Sequence, residues 1–264
     1  MSAIDQHARG LALTGERTGP GIWHESYWYA RHLAAYRFVA SAIARRAVAT
    51  AFARADAAAP ITLDAGCGEG YGIEVLRDCG SPVVGLDYDP DVTRHAGRGT
   101  DRNVLRGNVV RLPLAAGCVD AVVSLQVVEH IWTPLELVDE FHRVLRPGGL
   151  LALSTPNRLS FSPGLQRGAR PTNPFHVREY DGEELLELVG TRFAETELLG
   201  VHRGPRLVEL DERYGSLTAA QLAAPPELWD GALAAAVRSV RPEDFVVGRA
   251  ADDALDLLVL ASRA

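Results

Sequence analysis

The sequence predicts an α/β protein, doubly wound around a mostly parallel seven-stranded sheet, with N-terminal helices and a helical insertion before the last strand. Three observations carry this. The apolar run Ile61-Thr62-Leu63-Asp64-Ala65 breaks into the loop Gly66-Cys67-Gly68-Glu69-Gly70 and resumes with helical periodicity, which reads as strand, tight turn and helix start. A second apolar run, Pro82-Val83-Val84-Gly85-Leu86, ends in Asp87-Tyr88 about 20 residues beyond the loop. Short apolar runs then alternate with amphipathic stretches as far as Thr155, the pattern of parallel strands joined by crossover helices.

The glycine loop lets main-chain N–H groups face a ligand at a helix start. Its spacing, G-x-G-x-G, differs from the G-x-G-x-x-G that cradles a pyrophosphate. Asp64 would repel a pyrophosphate and attract an ammonium group, and Asp87 stands where a ribose diol is held. The pair describes a nucleoside carrying an amino-acid tail better than a dinucleotide, so a nicotinamide oxidoreductase fits less well.

Further marks are Gly107-Asn108 after a third strand, Val119-Asp120-Ala121-Val122-Val123-Ser124 as a fourth, and Arg146-Pro147-Gly148-Gly149 leading into a fifth. In this order the motifs resemble the class I S-adenosylmethionine-dependent methyltransferases, over residues 58–200. The resemblance implies a Rossmann-like fold, S-adenosyl-L-methionine as cofactor, and a cofactor site of Asp64, Gly66, Cys67, Gly68, Gly70, Asp87, Tyr88, Asn108, Val109, Leu125 and Gln126. Asn108 stands where the family commonly has an Asp that accepts from the adenine amino group, and an amide can accept through its oxygen.

In chain order, residues 1–20 lack periodicity and predict a flexible lead-in. Residues 21–57 form a helical cap, in which Tyr29, Leu33, Tyr36, Ala40 and Ile43 make one apolar seam of a helix from about Glu25 to Ala55. Residues 58–202 form the cofactor-binding core. Strands are expected at 61–66, 82–87, 104–108, 119–124, 150–155, 193–202 and 254–261, the last within the closing segment 251–264. Residues 203–250 are too long for a hairpin connection and predict a helical insertion or lid.

A net charge of −7 argues against a nucleic-acid partner, and the chain contains no lysine, which excludes Schiff-base and Walker-type lysine chemistry. Cys67, Cys79 and Cys118 show no C-x-x-C pairing and suit small buried hydrophobes. The start has no basic-then-apolar leader and no run approaches a membrane span, so a cytoplasmic protein without membrane insertion is expected. A homodimer is left open.

For chemistry, His130 follows the fourth strand, at the sheet edge where open α/β proteins bind ligands, and its imidazole is the best candidate base. Glu129 would orient it or a cofactor amine. His176 and Arg178, in Asn173-Pro174-Phe175-His176-Val177-Arg178-Glu179-Tyr180, would reach the pocket from a loop, where this stretch resembles sugar- and quinone-modifying branches of the family. Trp23, Tyr27, Trp28, His32 and Asn157 complete the expected substrate site. No H-x-x-x-H, paired-Cys or clustered-Asp pattern commends a metal, so none is expected.

The segment Leu13 to Thr18, the cluster Trp23-His24-Glu25-Ser26-Tyr27-Trp28 and the insertion resemble actinobacterial methyltransferases of methylated glucans, of the methylglucose lipopolysaccharide and mycofactocin type. This implies methylation of a sugar or glycan hydroxyl on a small-molecule or oligosaccharide substrate. The alternatives are a quinone, polyketide or other small-metabolite methyltransferase, or a cofactor-binding protein without catalysis.

Overall fold

Eight strands form one sheet in a computed structural model that describes residues 18–51, 59–78, 80–99, 103–250 and 252–264. They are β1 (Thr62–Ala65), β2 (Val83–Asp87), β3 (Val104–Arg106), β4 (Val119–Leu125), β5 (Leu145–Pro156), β6 (Glu195–Arg203), β7 (Phe245–Arg249) and β8 (Asp256–Ser262). Their order is β3-β2-β1-β4-β5-β8-β6-β7. The five strands β1 to β5 run parallel, whereas β8 is antiparallel to β5 and β6, and β7 to β6.

Alternate residues of the central strands serve two cores. Ala121, Val123, Leu150 and Ala152 join one, while Val122, Leu151 and Leu153 join the other. On the first face pack α1 (Ser26–Ala51), α2 (Tyr71–Arg77), and three helices of the late insertion, α7 (Pro205–Tyr214), α8 (Leu217–Leu222) and α9 (Gly231–Ser239). On the second pack α4 (Pro134–Val144) and α6 (Gly182–Gly190). The remaining helices are α3 (Pro90–Gly99) and the single turn α5 (Arg158–Phe161).

Local sequence explains these starts and faces. Pro134 opens α4, where proline's missing N–H costs nothing, and Leu137, Val138, Phe141 and Val144 recur on one buried face. Burying Phe141 contributes about 2–3 kcal/mol. Asp181 and Glu184 make a reciprocal capping box at the start of α6.

Two expectations need correction. The sheet has eight strands, not seven, because the insertion is not wholly helical: Phe245–Arg249 adds an antiparallel edge strand to β6. Its five residues do not alternate cleanly in polarity, so no period-2 signal marks them. Strand β5 starts at Leu145 rather than 150, since Arg146 to Gly149, read as a turn, forms an irregularity in which Val119 pairs with Leu145 and Ala121 with Leu150. The apolar seam expected of the first helix packs on the sheet: Tyr36, Ala40 and Ile43 of α1, with Val39, belong to the sheet's own core. The lead-in expected at 1–20 lies mostly outside the described residues, as do the end of the first helix beyond Ala51 and Cys79.

Candidate active site

The carboxyl ends of β1, β2 and β4 meet at one edge, with Asp64 registered beside Gly85 and Val123. There the glycine loop turns with Gly66, Gly68 and Gly70 all at positive φ. Gly66 is required twice over: its φ is 87°, and a Cβ would lie 2.4 Å from Val127 Cγ2. Above Gly68 a Cβ would meet nothing within 4 Å, so the loop faces open space. Asp87 stitches the loop to β2, accepting from Gly68 N–H and Asp89 N–H, each at 3.0 Å.

Asp64 is fully buried, and Tyr36 of α1 donates to its Oδ1 at 3.1 Å. Its Oδ2 has no hydrogen-bond partner. Burial, with the Asp87 charge adding to it against the Tyr36 bond, pushes the carboxyl up to about 7. A buried carboxylate with an unfilled acceptor suits an ammonium group. The residues therefore fit an amino-acid-bearing nucleoside: Asp64 for the amine, Gly66 to Gly70 for the tail, and Asp87 for the ribose.

Tyr88 is 70% exposed, open to cover a base, while Cys67, Val109 and Leu125 are buried. Asn108 is exposed, and its Oδ1 accepts from Val110 N–H at 3.1 Å, so the oxygen expected for the adenine amine already holds a turn. Gln126 takes φ 57° as the chain leaves β4, and its Nε2 donates to Ser154 Oγ at 3.1 Å.

Beside this bed lies a cavity of about 430 Å³ whose walls include Glu25, Trp28, Arg31, His32, Gln126, Glu129, His130, Phe161 and Trp229. His32 Nδ1 and Tyr71 Oη are 3.0 Å apart, linking the cavity wall to the first residue after the glycine loop. Burial and the neighbouring Arg31 lower His32 to about 3, so its ring is neutral. Burial raises Glu25 to about 7. Arg31 pairs with Asp256 of β8 at 3.1 Å, both side chains nearly inaccessible, with its guanidinium 4.9 Å from the Trp28 ring. A second cavity of about 560 Å³ shares Arg31, Phe161, Asn173 and Leu222 with the first.

Glu129, His130 and His176 converge, each with a ligating atom within 4.8 Å of the others. His130 and His176 rings pack edge to face at 5.2 Å. His130 Nδ1 lies 3.0 Å from the Phe175 carbonyl oxygen and His176 Nδ1 2.9 Å from Glu179 Oε1. Burial raises Glu129 to about 6, against the pull of His130 and His176.

Four expected substrate residues stand elsewhere. Tyr27 is buried, packed edge-on to Trp28 and Phe245, because the helix phase turns it toward the sheet. Trp23 supports Trp229 from behind at 5.7 Å, under the Arg238 guanidinium. Asn157 is saturated: it caps α5, accepting from Leu159 N–H, and donates to the Asp252 and Ala254 carbonyls. Arg178 pairs with Glu184 at 2.9 Å and borders a separate groove with Trp132 and Leu135. Conversely Arg31, Phe161 and Trp229 line the cavity without having been singled out for it; the lone tryptophan inside an over-long insertion was the available signal for Trp229.

Residues 63–153 match the family model described as a methyltransferase domain. A protein of Mycolicibacterium smegmatis named "probable S-adenosylmethionine-dependent methyltransferase" is 44% identical over 262 residues, covering 96% of this chain and 95% of that one. A similarly named Mycobacterium tuberculosis protein is 39% identical over 263 residues, covering 96% and 90%. Among solved structures, an S-adenosylmethionine-dependent methyltransferase of Thermotoga maritima superposes with TM-score 0.55 at 16% identity, covering 89% of this chain and 94% of its own. A geranyl diphosphate methyltransferase in complex with S-adenosylmethionine does so at 0.51 and 20% identity, covering 78% and 79%. With relatives matched end to end and a site built for a nucleoside with an amino-acid tail, the chain belongs to the S-adenosylmethionine-dependent methyltransferases, enzymes whose cofactor is S-adenosyl-L-methionine.

Proposed function

We propose that this enzyme methylates a hydroxyl group of a sugar or glycan. The observation that carries the reading is the cavity beside the cofactor bed, which is lined by two indoles, Trp28 and Trp229, and by polar groups from Gln126, Glu129 and His130. Aromatic faces stack on the apolar faces of pyranose rings, and the polar groups answer their hydroxyls. The second cavity, sharing four wall residues with the first, offers room for neighbouring sugars of an oligosaccharide.

Bound S-adenosylmethionine supplies a methyl group on a sulfonium sulfur, open to in-line displacement by an aligned acceptor oxygen. The chain must hold that oxygen and take its proton. His130 does the second: with Nδ1–H donated to the Phe175 carbonyl, Nε2 is the ring nitrogen left to take the proton. His176 packs against it and is the rival base.

The test incubates the protein with methyl-labelled cofactor and separate fractions of mycobacterial glycans, quinones and small metabolites. Label in the glycan fraction, lost on glycosidase digestion, is the expected result. Label in quinones or small metabolites alone overturns the acceptor assignment.

A further inference from the structure

Glu129 and His130 are neighbours in sequence just past β4, whereas His176 arrives from the loop before α6, so no sequence motif exposes their meeting. A first-row divalent ion with bonds of about 2.0–2.2 Å holds its donors roughly 3–3.5 Å apart. Closing from within 4.8 Å takes a movement on the order of 1 Å, available to the half-buried His130 ring.

The supporting contacts are those that ligand imidazoles use. His130 donates Nδ1–H to the Phe175 carbonyl, and His176 Nδ1 meets the Glu179 carboxylate. Both contacts favour the tautomer with its lone pair on Nε2. The loop that brings His176 is fastened to Glu129 itself, whose carbonyl accepts from Val177 N–H at 2.7 Å and Arg178 N–H at 3.2 Å. The carboxylate supplies the independent sign of a missing ligand: Glu129 is 1% exposed, yet its Oε2 has no hydrogen-bond partner. A buried acceptor left in that state is costly, and a cation satisfies it.

We propose that Glu129, His130 and His176 bind one divalent ion of the zinc class. Two imidazole nitrogens and one carboxylate oxygen suit zinc, cobalt or nickel, whereas magnesium and calcium take shells of oxygen. Three protein ligands leave a coordination position open, and since Glu129 and His130 line the acceptor cavity, that position lies on its side. The proposal competes with the functional reading in one respect: an ion on His130 occupies the nitrogen that would take the acceptor's proton, so ion binding and base catalysis by His130 exclude each other.

The experiment titrates chelator-stripped, full-length protein with zinc chloride by calorimetry, and with cobalt chloride by visible absorption. One equivalent per chain is expected, with the cobalt spectrum of a four- or five-coordinate site. His130→Ala and His176→Ala each weaken zinc binding about tenfold or more. His142→Ala, on the outer helix α4, leaves it unchanged. Glu129→Gln keeps the side chain's shape and tests the carboxylate if smaller replacements fail to fold, with circular dichroism as the check. No stoichiometric uptake, or wild-type affinity in folded His130→Ala and Glu129→Gln proteins, overturns the site. Label transfer to glycan without zinc uptake retires this proposal alone. Zinc uptake without any such transfer retires only the acceptor reading.

Discussion

The phenol of Tyr36 donates a 3.1 Å hydrogen bond to Asp64 Oδ1, so the N-terminal helix touches the buried carboxylate beside the glycine loop. The bond fills one oxygen of a buried carboxylate and leaves the other without a partner. This half-satisfied state makes Asp64 responsive to pH.

Asp64 is raised to about 7 by burial, above its unfolded value of about 3.9. The folded apoprotein thus binds this proton more tightly than the unfolded chain, and Asp64's contribution to stability falls as pH rises from about 4 to 7. An ammonium ligand prefers the ionised form, and an α-amino group keeps its charge over this range. Cofactor affinity should therefore rise roughly tenfold between pH 5.5 and 7, and Asp64→Asn should flatten the dependence. Calorimetry across that window is the check; a wild-type affinity flat with pH would show that the amine binds elsewhere.

Replacing Asp87 by alanine removes the acceptor for Gly68 N–H and Asp89 N–H and the carboxylate expected to take the ribose. Cofactor binding should weaken by about 1.5–3 kcal/mol, the range for lost charge-assisted hydrogen bonds. An unchanged dissociation constant in a folded variant would remove Asp87 from the site.

His130→Ala should bind cofactor almost normally while single-turnover methyl transfer falls by roughly 10²-fold or more, since a positioned base contributes about 10²–10⁴-fold. The same loss confined to His176→Ala would move the base to the loop. The assay is run on ion-free protein at saturating cofactor and acceptor.

Legibility followed the range of the forces involved. The glycine loop, Asp64 and Asp87 could be read because strand, turn and helix start are local, and strand ends in a parallel sheet share an edge by construction. Trp28 and His32 followed from helical spacing, and both line the cavity. Tyr27, one residue away, faces the core, because phase near a helix start is not fixed by a short aromatic cluster. Asn157 and Arg178 lie beside the chemistry in sequence but are consumed by a helix cap and an ion pair, outcomes set by partners from Glu184 to Ala254. The approach of His176 to Glu129 depends on a loop whose path no periodicity encodes.

Arg31→Ala should destabilise the protein by about 3–5 kcal/mol, because it strands the buried Asp256 carboxylate. Urea unfolding reads the loss. Replacing both partners with apolar residues, Arg31→Met with Asp256→Leu, should recover most of it, and a single variant as stable as wild type would show the pair to be solvated.

That ion pair also orders events on the ribosome. Asp64, the glycine loop and Asp87 lie close in sequence, so this part of the sheet can assemble while synthesis continues. Arg31 waits for Asp256, made 225 residues later, before its guanidinium has its buried partner. A nascent chain can therefore form the glycine loop well before β8 braces the Arg31 wall of the neighbouring cavity.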